Sequence, residues 1–105
     1  MHLYKQNEMI IIDSQILDVF VEKHTDCRKA IQSWINKVEN AEWKSHAELK
    51  MDFPSADYVK NGRYVFNIRG NKYRLIVVVI FVAGQLIVRF VGTHAEYDKI
   101  NAESI

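Results

Sequence analysis

The chain's pattern predicts an α+β fold, with helices packed on one face of a small antiparallel sheet. Three observations carry that expectation. Two amphipathic stretches stand within the first 40 residues, three strand-like runs fill residues 63–92, and Gly-containing reversals separate those runs. With 105 residues, 49% of them hydrophobic and 26% charged, the chain suits a single domain, 1–105, built around one core.

The elements follow in order. Residues 1–8, "MHLYKQNE", are polar and lack the apolar core of a secretory signal, so they read as an N-terminal extension. "MIIID" (9–13) reads as a short first strand. With Asp13 or Ser14 as cap, "SQILDVFVEKH" places Ile16, Leu17, Phe20, Val21 and His24 on one helical face. Thr25 is positioned to cap a second helix striped by Ala30, Ile31, Trp34, Ile35 and Val38. Trp34 and Trp43 read as helix-packing residues. "SHAE" (45–48) matches a capping box of Ser45 with Glu48, opening a short helix that Pro54 ends. "VKNGR" (59–63) is a loop with an Asn-Gly turn.

Three strands come next: "RYVFNIR" (63–69), "KYRLIVVVIFV" (72–82) and "QLIVRFVG" (85–92). If Gly70-Asn71 and Ala83-Gly84 are both two-residue hairpin loops, register follows from them. Asn67 then faces Arg74, Arg63 faces Val78, Val78 faces Arg89 and Arg74 faces Thr93. Alternation puts Tyr64, Phe66, Ile68, Tyr73, Leu75, Val77, Val79, Leu86, Val88 and Phe90 on one apolar face for the helices to cover. Arg63, Asn67, Arg69, Lys72, Arg74, Arg89 and Thr93 fall on the other face, beside Val65, Ile76 and Val78.

Charge sharpens that division. The formal net charge is only +1, yet no acidic residue lies between Asp57 and Glu96, a window holding Lys60, Arg63, Arg69, Lys72, Arg74 and Arg89. A basic sheet face suits an anionic partner, nucleic acid being the commonest, although charges also simply solvate a sheet. The single cysteine, Cys27, excludes an internal disulfide, fits a reducing cytoplasm and reads as a small buried residue. His2, His24, His46 and His94 are scattered without metal-ligand spacing, so no metal and no cofactor is expected. No apolar run is long enough to span a bilayer, so no membrane is expected either.

The last apolar run closes in "RFVGTHAEYDKI" (89–100). Thr93 and Glu96 form a second capping box, so a short helix should follow, with His94, Tyr97 and Asp98 on one side of it. Asn67, Lys72, Arg74, His94, Tyr97 and Asp98 should therefore converge at one end of the polar face. The mixture suits phosphoryl transfer on RNA. His94 can move a proton near neutral pH, Arg74 and Lys72 can stabilise phosphate charge, Tyr97 can stack on a base or shuttle a proton, and Asp98 can orient His94. Arg63, Arg69 and Arg89 suit RNA-backbone contacts. Each residue also has a plainer use: Arg74 as sheet cover, His94 as a first-turn helix residue, Tyr97 packed on the sheet edge, Asp98 solvated.

"FPSADYV", "GRYVFNIRGNKYRLIVVVIF" and "VRFVGTHAEYDKI" together resemble the HigB family of toxins from bacterial type II toxin–antitoxin modules, a branch of the RelE-like ribonucleases. The resemblance runs from about Met9 to the C-terminus. Arg69 stands where it leads one to expect a second glycine. It implies a RelE-like sheet with two N-terminal helices on one face, RNA on the other, and a short C-terminal helix. It further implies cytoplasmic, metal-independent mRNA cleavage on the translating ribosome, with a HigA-like helix-turn-helix antitoxin as partner and operator DNA reached only through that antitoxin. Under it Arg74 matches the phosphate-binding arginine, and His94 and Tyr97 match the C-terminal catalytic region. A non-catalytic RNA- or ribosome-binding module, or a domain docking an acidic protein, would use the same basic face without cutting RNA.

Overall fold

The computed structural model describes residues 8–105, so residues 1–7 of the expected extension lie outside the described residues. Five strands form one sheet in the order β1-β5-β4-β3-β2. They are β1 (Ile10–Ile12), β2 (Asp57–Tyr58), β3 (Arg63–Ile68), β4 (Tyr73–Ile80) and β5 (Gln85–Thr93). The helices are α1 (Gln15–Lys23), α2 (Arg28–Glu39), α3 (His46–Asp52) and α4 (His94–Tyr97). The α+β class is as the pattern predicted. Strand β1 pairs parallel to β5, and the other pairings are antiparallel. The two-residue β2 was not anticipated; Asn61 at φ 54° and Gly62 at φ 79° make the tight turn that folds it onto β3. Among the described residues, no helix is long and apolar enough to cross a membrane.

The helical face of the sheet holds the core. Leu17, Phe20, Val21, Ile31, Trp34 and Val38 pack on Tyr64, Phe66, Ile68, Tyr73, Leu75, Val77, Leu86 and Val88, all buried. Leu17 and Leu75 are fully enclosed, and truncating either to alanine would cost about 2–5 kcal/mol, the transfer and cavity terms together. Trp34 meets the Phe66 ring edge-on at 5.5 Å between centroids, and Trp43 meets Phe53 at 5.7 Å, so both tryptophans pack as expected. Cys27 is buried, and burial pushes its thiol above the ordinary range. One expected cap is replaced. Thr25–Cys27 form a 3-10 turn that ends α1's approach, and α2 begins only at Arg28 with Cys27 as its cap.

The first hairpin keeps the expected register, with Asn67 opposite Arg74 and Arg63 opposite Val78. Its tip needs a left-handed backbone at two successive residues, Arg69 at φ 54° and Gly70 at φ 64°. Arg69 thus holds a conformation that favours glycine.

The second hairpin differs from expectation. Its loop has four residues, Phe81 to Gly84, because Phe81–Ala83 coil into a 3-10 turn and Ile80 pairs with Gln85. Val78 therefore faces Ile87, not Arg89. A shift of two residues leaves side-chain faces unchanged, which is why Leu86 and Val88 still point to the core. A bulge then intervenes. Val77 pairs with Val88 and Ile76 with Phe90, leaving Arg89 as the extra residue. Beyond it the faces exchange: Phe90 lies on the open face, Val91 packs on the core, and Arg74 faces Gly92 instead of Thr93.

The open face is partly covered as well. Asn61 donates to the Glu103 carbonyl at 3.4 Å, and Arg63 donates from Nε and Nη2 to the Ile105 main-chain oxygen at 3.1 and 2.8 Å. The segment after α4 is thereby tied back along this face. Val65 and Ile76, which point to it, are 4% and 0% exposed.

At the tip of the β3–β4 hairpin the two layers are clamped by charge. Asp26, in the 3-10 turn between α1 and α2, accepts from Arg69 at 2.8 Å, Lys72 at 2.7 Å and the Tyr73 hydroxyl at 2.7 Å. The Lys72 and Tyr73 hydrogen bonds hold its carboxyl at a pKa of about 2, below the usual 3.8. The same bond to Asp26 raises Lys72. A depressed folded-state pKa stabilises the fold above the unfolded value, and that contribution disappears as pH falls through the folded value. Asp26→Asn should therefore flatten the stability profile between about pH 4 and pH 2. Thermal melts across that range should show the wild-type Tm falling more steeply than the variant's, with the curves converging at the acid end.

Candidate active site

Arg74 is the second residue of β4, and His94 is the first of α4. What brings them together is the end of β5. Gly92 lies directly opposite Arg74, and Thr93 closes the strand as the cap of α4. The capping box is complete: Thr93 Oγ1 accepts from the Glu96 amide at 3.2 Å, and Glu96 Oε1 accepts from the Thr93 amide at 2.7 Å. The Thr93 amide holds the Glu96 carboxyl below its usual range. Gly92 makes room for this arrangement. A Cβ there would stand 2.6 Å from the Phe90 ring and 3.0 Å from the Glu96 carboxylate.

The resulting corner is tight. Arg74 Nη2 lies 3.0 Å from His94 Nε2, while Nη1 donates to the Asn71 carbonyl at 3.3 Å. The guanidinium carbon sits 5.8 Å from the Tyr97 ring centroid, in cation–π range. His94 and Tyr97 meet at 6.4 Å between ring centroids and 77° between planes. On the far side of the imidazole, Nδ1 faces Asp98 Oδ2 at 3.4 Å. The His94 and Asp98 side chains are 52% and 64% exposed, so a polymer can approach them. One imidazole, one phenol, one guanidinium and one carboxylate thus share a solvent-facing corner. Chemically, they can move protons and bind a phosphate.

The other candidate residues divide by location. Asn67 is exposed opposite Arg74, at the same end of the sheet. Arg69 and Lys72 are held by Asp26 at the hairpin tip, and Arg63 is held by the Ile105 main-chain oxygen at the other end of β3. Arg89 is exposed on the bulge. The structure therefore gathers Arg74, His94, Tyr97, Asp98 and Asn67, and it turns Arg63, Arg69 and Lys72 to internal pairing. Two participants were not anticipated: Asp26, and the Asn71 carbonyl that steadies Arg74. Asp26 stands more than 40 residues from its partners, with no local pattern to mark it. Among the described residues, no group of three or more His, Cys, Asp or Glu side chains gathers as a metal-ligand set.

Comparison with known proteins points the same way. Residues 27–100 match the HigB toxin family, described as the RelE-like toxic component of a toxin-antitoxin system. The chain is 32% identical over 96 residues to the mRNA interferase toxin HigB of Escherichia coli K12, covering 90% of this chain and 92% of the relative. The same figures describe the mRNA interferase HigB of Shigella flexneri. Another, from Escherichia coli O6:H1, is 29% identical over 94 residues, covering 88% of this chain and 91% of the relative.

The capping box should be measurable as stability. Thr93→Ala removes the acceptor for the Glu96 amide and should cost about 1 kcal/mol, lowering Tm by about 4–8 °C. Thr93→Ser keeps the hydroxyl and should melt close to wild type. Thermal denaturation of the two variants side by side checks the difference.

Proposed function

Because the chain belongs to the HigB toxin family, the RelE-like toxic component of a toxin–antitoxin system, we propose that it arrests translation by cutting mRNA through Arg74, His94 and Tyr97. The observation that carries this reading is the 3.0 Å contact between Arg74 and His94 on an exposed corner. An anion-binding group and a proton-transfer group stand there within reach of one phosphate and its neighbouring sugar.

The chemistry follows from the groups. His94 Nε2 accepts the proton of a ribose 2′-hydroxyl. The 2′-oxygen bonds to the adjacent phosphorus, and the bond from phosphorus to the 5′-oxygen breaks. Arg74 stabilises the charge that builds on the phosphoryl oxygens. The Tyr97 phenol, beside both, gives its proton to the leaving 5′-oxygen and regains one from the imidazolium by way of solvent. The products are a 2′,3′-cyclic phosphate and a 5′-hydroxyl. Asn67 and Arg89, exposed on the strands alongside, extend the polar surface for the RNA backbone. Arg63, Arg69 and Lys72 join it only if RNA phosphates displace their present partners.

The mRNA is presented on the translating ribosome, which supplies strand geometry that a small open surface does not. The antitoxin partner is of the HigA type, and operator DNA is reached only through it. The setting is cytoplasmic.

The test is induced expression in a bacterium lacking the partner gene, with mRNA ends mapped. Growth should arrest, with discrete cuts inside translated regions. Normal growth with intact transcripts would overturn the reading. His94→Ala and Tyr97→Phe should reduce cleavage by about 10²–10⁴ while ribosome affinity is largely kept. Arg74→Ala should reduce cleavage by about 10²–10³. Cleavage of ribosome-presented mRNA should persist with a chelator that removes transition-metal ions and leaves Mg²⁺ in place. If no variant or condition yields cut RNA while basic substitutions weaken binding, the face is a binding module only.

A further inference from the structure

An arginine side chain carries N–H donors and no acceptor. The contact between Arg74 Nη2 and His94 Nε2 therefore has one polarity, with Arg74 donating and the Nε2 lone pair accepting. A neutral imidazole whose Nε2 is an acceptor carries its proton on Nδ1. In this structure Nδ1 faces the Asp98 carboxylate at 3.4 Å. An imidazolium donates from both nitrogens and cannot keep the Arg74 contact. Arg74 therefore requires the neutral ring with its proton on Nδ1, and Asp98 faces that proton.

We propose that Asp98 is a positioning residue that holds His94 in the Nδ1–H tautomer, and that Arg74 masks the Nε2 acceptor until a phosphate draws the guanidinium away. The proposal rests on the reading of His94 as the base. A guanidinium binds an anionic phosphate more strongly than a neutral imidazole, because both partners are then charged and the contact can be bidentate. The atom that takes the 2′-hydroxyl proton is thus uncovered by the group about to receive that proton's charge complement, the phosphate. When Nε2 becomes protonated, Nδ1–H still faces the Asp98 carboxylate, now as imidazolium beside carboxylate. The groups facing the ring are Arg74 from β4 and Tyr97 and Asp98 from α4 and its end. Glu96 is committed to the Thr93 amide.

The readout is long-range ¹H–¹⁵N NMR of the full chain with labelled histidine, at a pH where the ring is neutral, with His94 assigned by its loss in His94→Gln. Wild type should show Nδ1 protonated and Nε2 as acceptor. The double variant Arg74→Ala/Asp98→Ala, in which no guanidinium holds Nε2 as an acceptor, should move the population toward Nε2–H, and Asp98→Ala alone should lower kcat by about tenfold or more with KM unchanged. Asp98→Asn, whose amide carbonyl still accepts, should keep the Nδ1–H signature. Arg74→Ala should also keep it, with the Nε2 resonance shifting toward that of an unbonded acceptor. A wild-type ring protonated on Nε2, or a ring still predominantly protonated on Nδ1 when Arg74 and Asp98 are both alanine, would overturn the proposal. If the tautomer follows Asp98 while His94→Ala still cuts RNA, the base assignment fails and the positioning stands. If His94→Ala is inactive while the tautomer ignores Asp98, the positioning fails and the base assignment stands.

Discussion

The pairing of β4 with β5 is the constraint on which everything else rests. Strand β4 is the sheet's central strand: its apolar residues anchor the core on one side, and its second residue carries Arg74. Strand β5 crosses it for nine residues and then releases the chain into α4. The bulge at Arg89 sets where that release falls. Without the extra residue, Gly92 would not lie opposite Arg74, and the Thr93 cap would aim α4 elsewhere. A defect in the ladder thus re-aims a helix start, a use of bulges common beside functional sites.

Among the described residues, the basic side chains of the sheet divide between those paired within the fold and those left without an anionic partner. Of the basic residues in the sheet region, Arg69 and Lys72 neutralise Asp26 and tie the hairpin tip to the helical layer, while Arg63 binds a main-chain oxygen of the C-terminal segment. These partly exposed pairs contribute modestly to stability, but they hold long side chains in place. Arg74 is treated differently. Its contacts are a carbonyl, an imidazole nitrogen and an aromatic face, none of them an anion. A phosphate therefore meets a guanidinium whose charge is not already cancelled by a carboxylate.

The chain belongs to a toxin family, and the corner is the site at which we propose its chemistry. Among the described residues, the His94 and Asp98 side chains stand open to solvent. Under that proposal rate comes from orientation, through the capping box and the Asn71 carbonyl that hold His94 and Arg74 in place.

Much of this was legible in the residues alone, for definable reasons. Amphipathic spacing, the Asn-Gly and Gly-Asn reversals, and the Ser45 and Thr93 caps are local signals, and local backbone preference answers to them. They determined the α+β class, the first hairpin's register, the core face and the start of α4. Phe90, Arg89 and Asp26 lay beyond such signals. Nothing near Gly84 distinguishes a two-residue loop from a 3-10 turn of four, and a bulge is chosen by how two twisted strands fit over a packed core. Asp26 reaches Arg69, Lys72 and Tyr73 only because α1 and α2 lie across the sheet. The sequence brought Arg74 to the imidazole's end of the sheet, but tertiary structure alone decided that Arg63, Arg69 and Lys72 are spent on the fold, because that depends on distances between residues far apart in the chain.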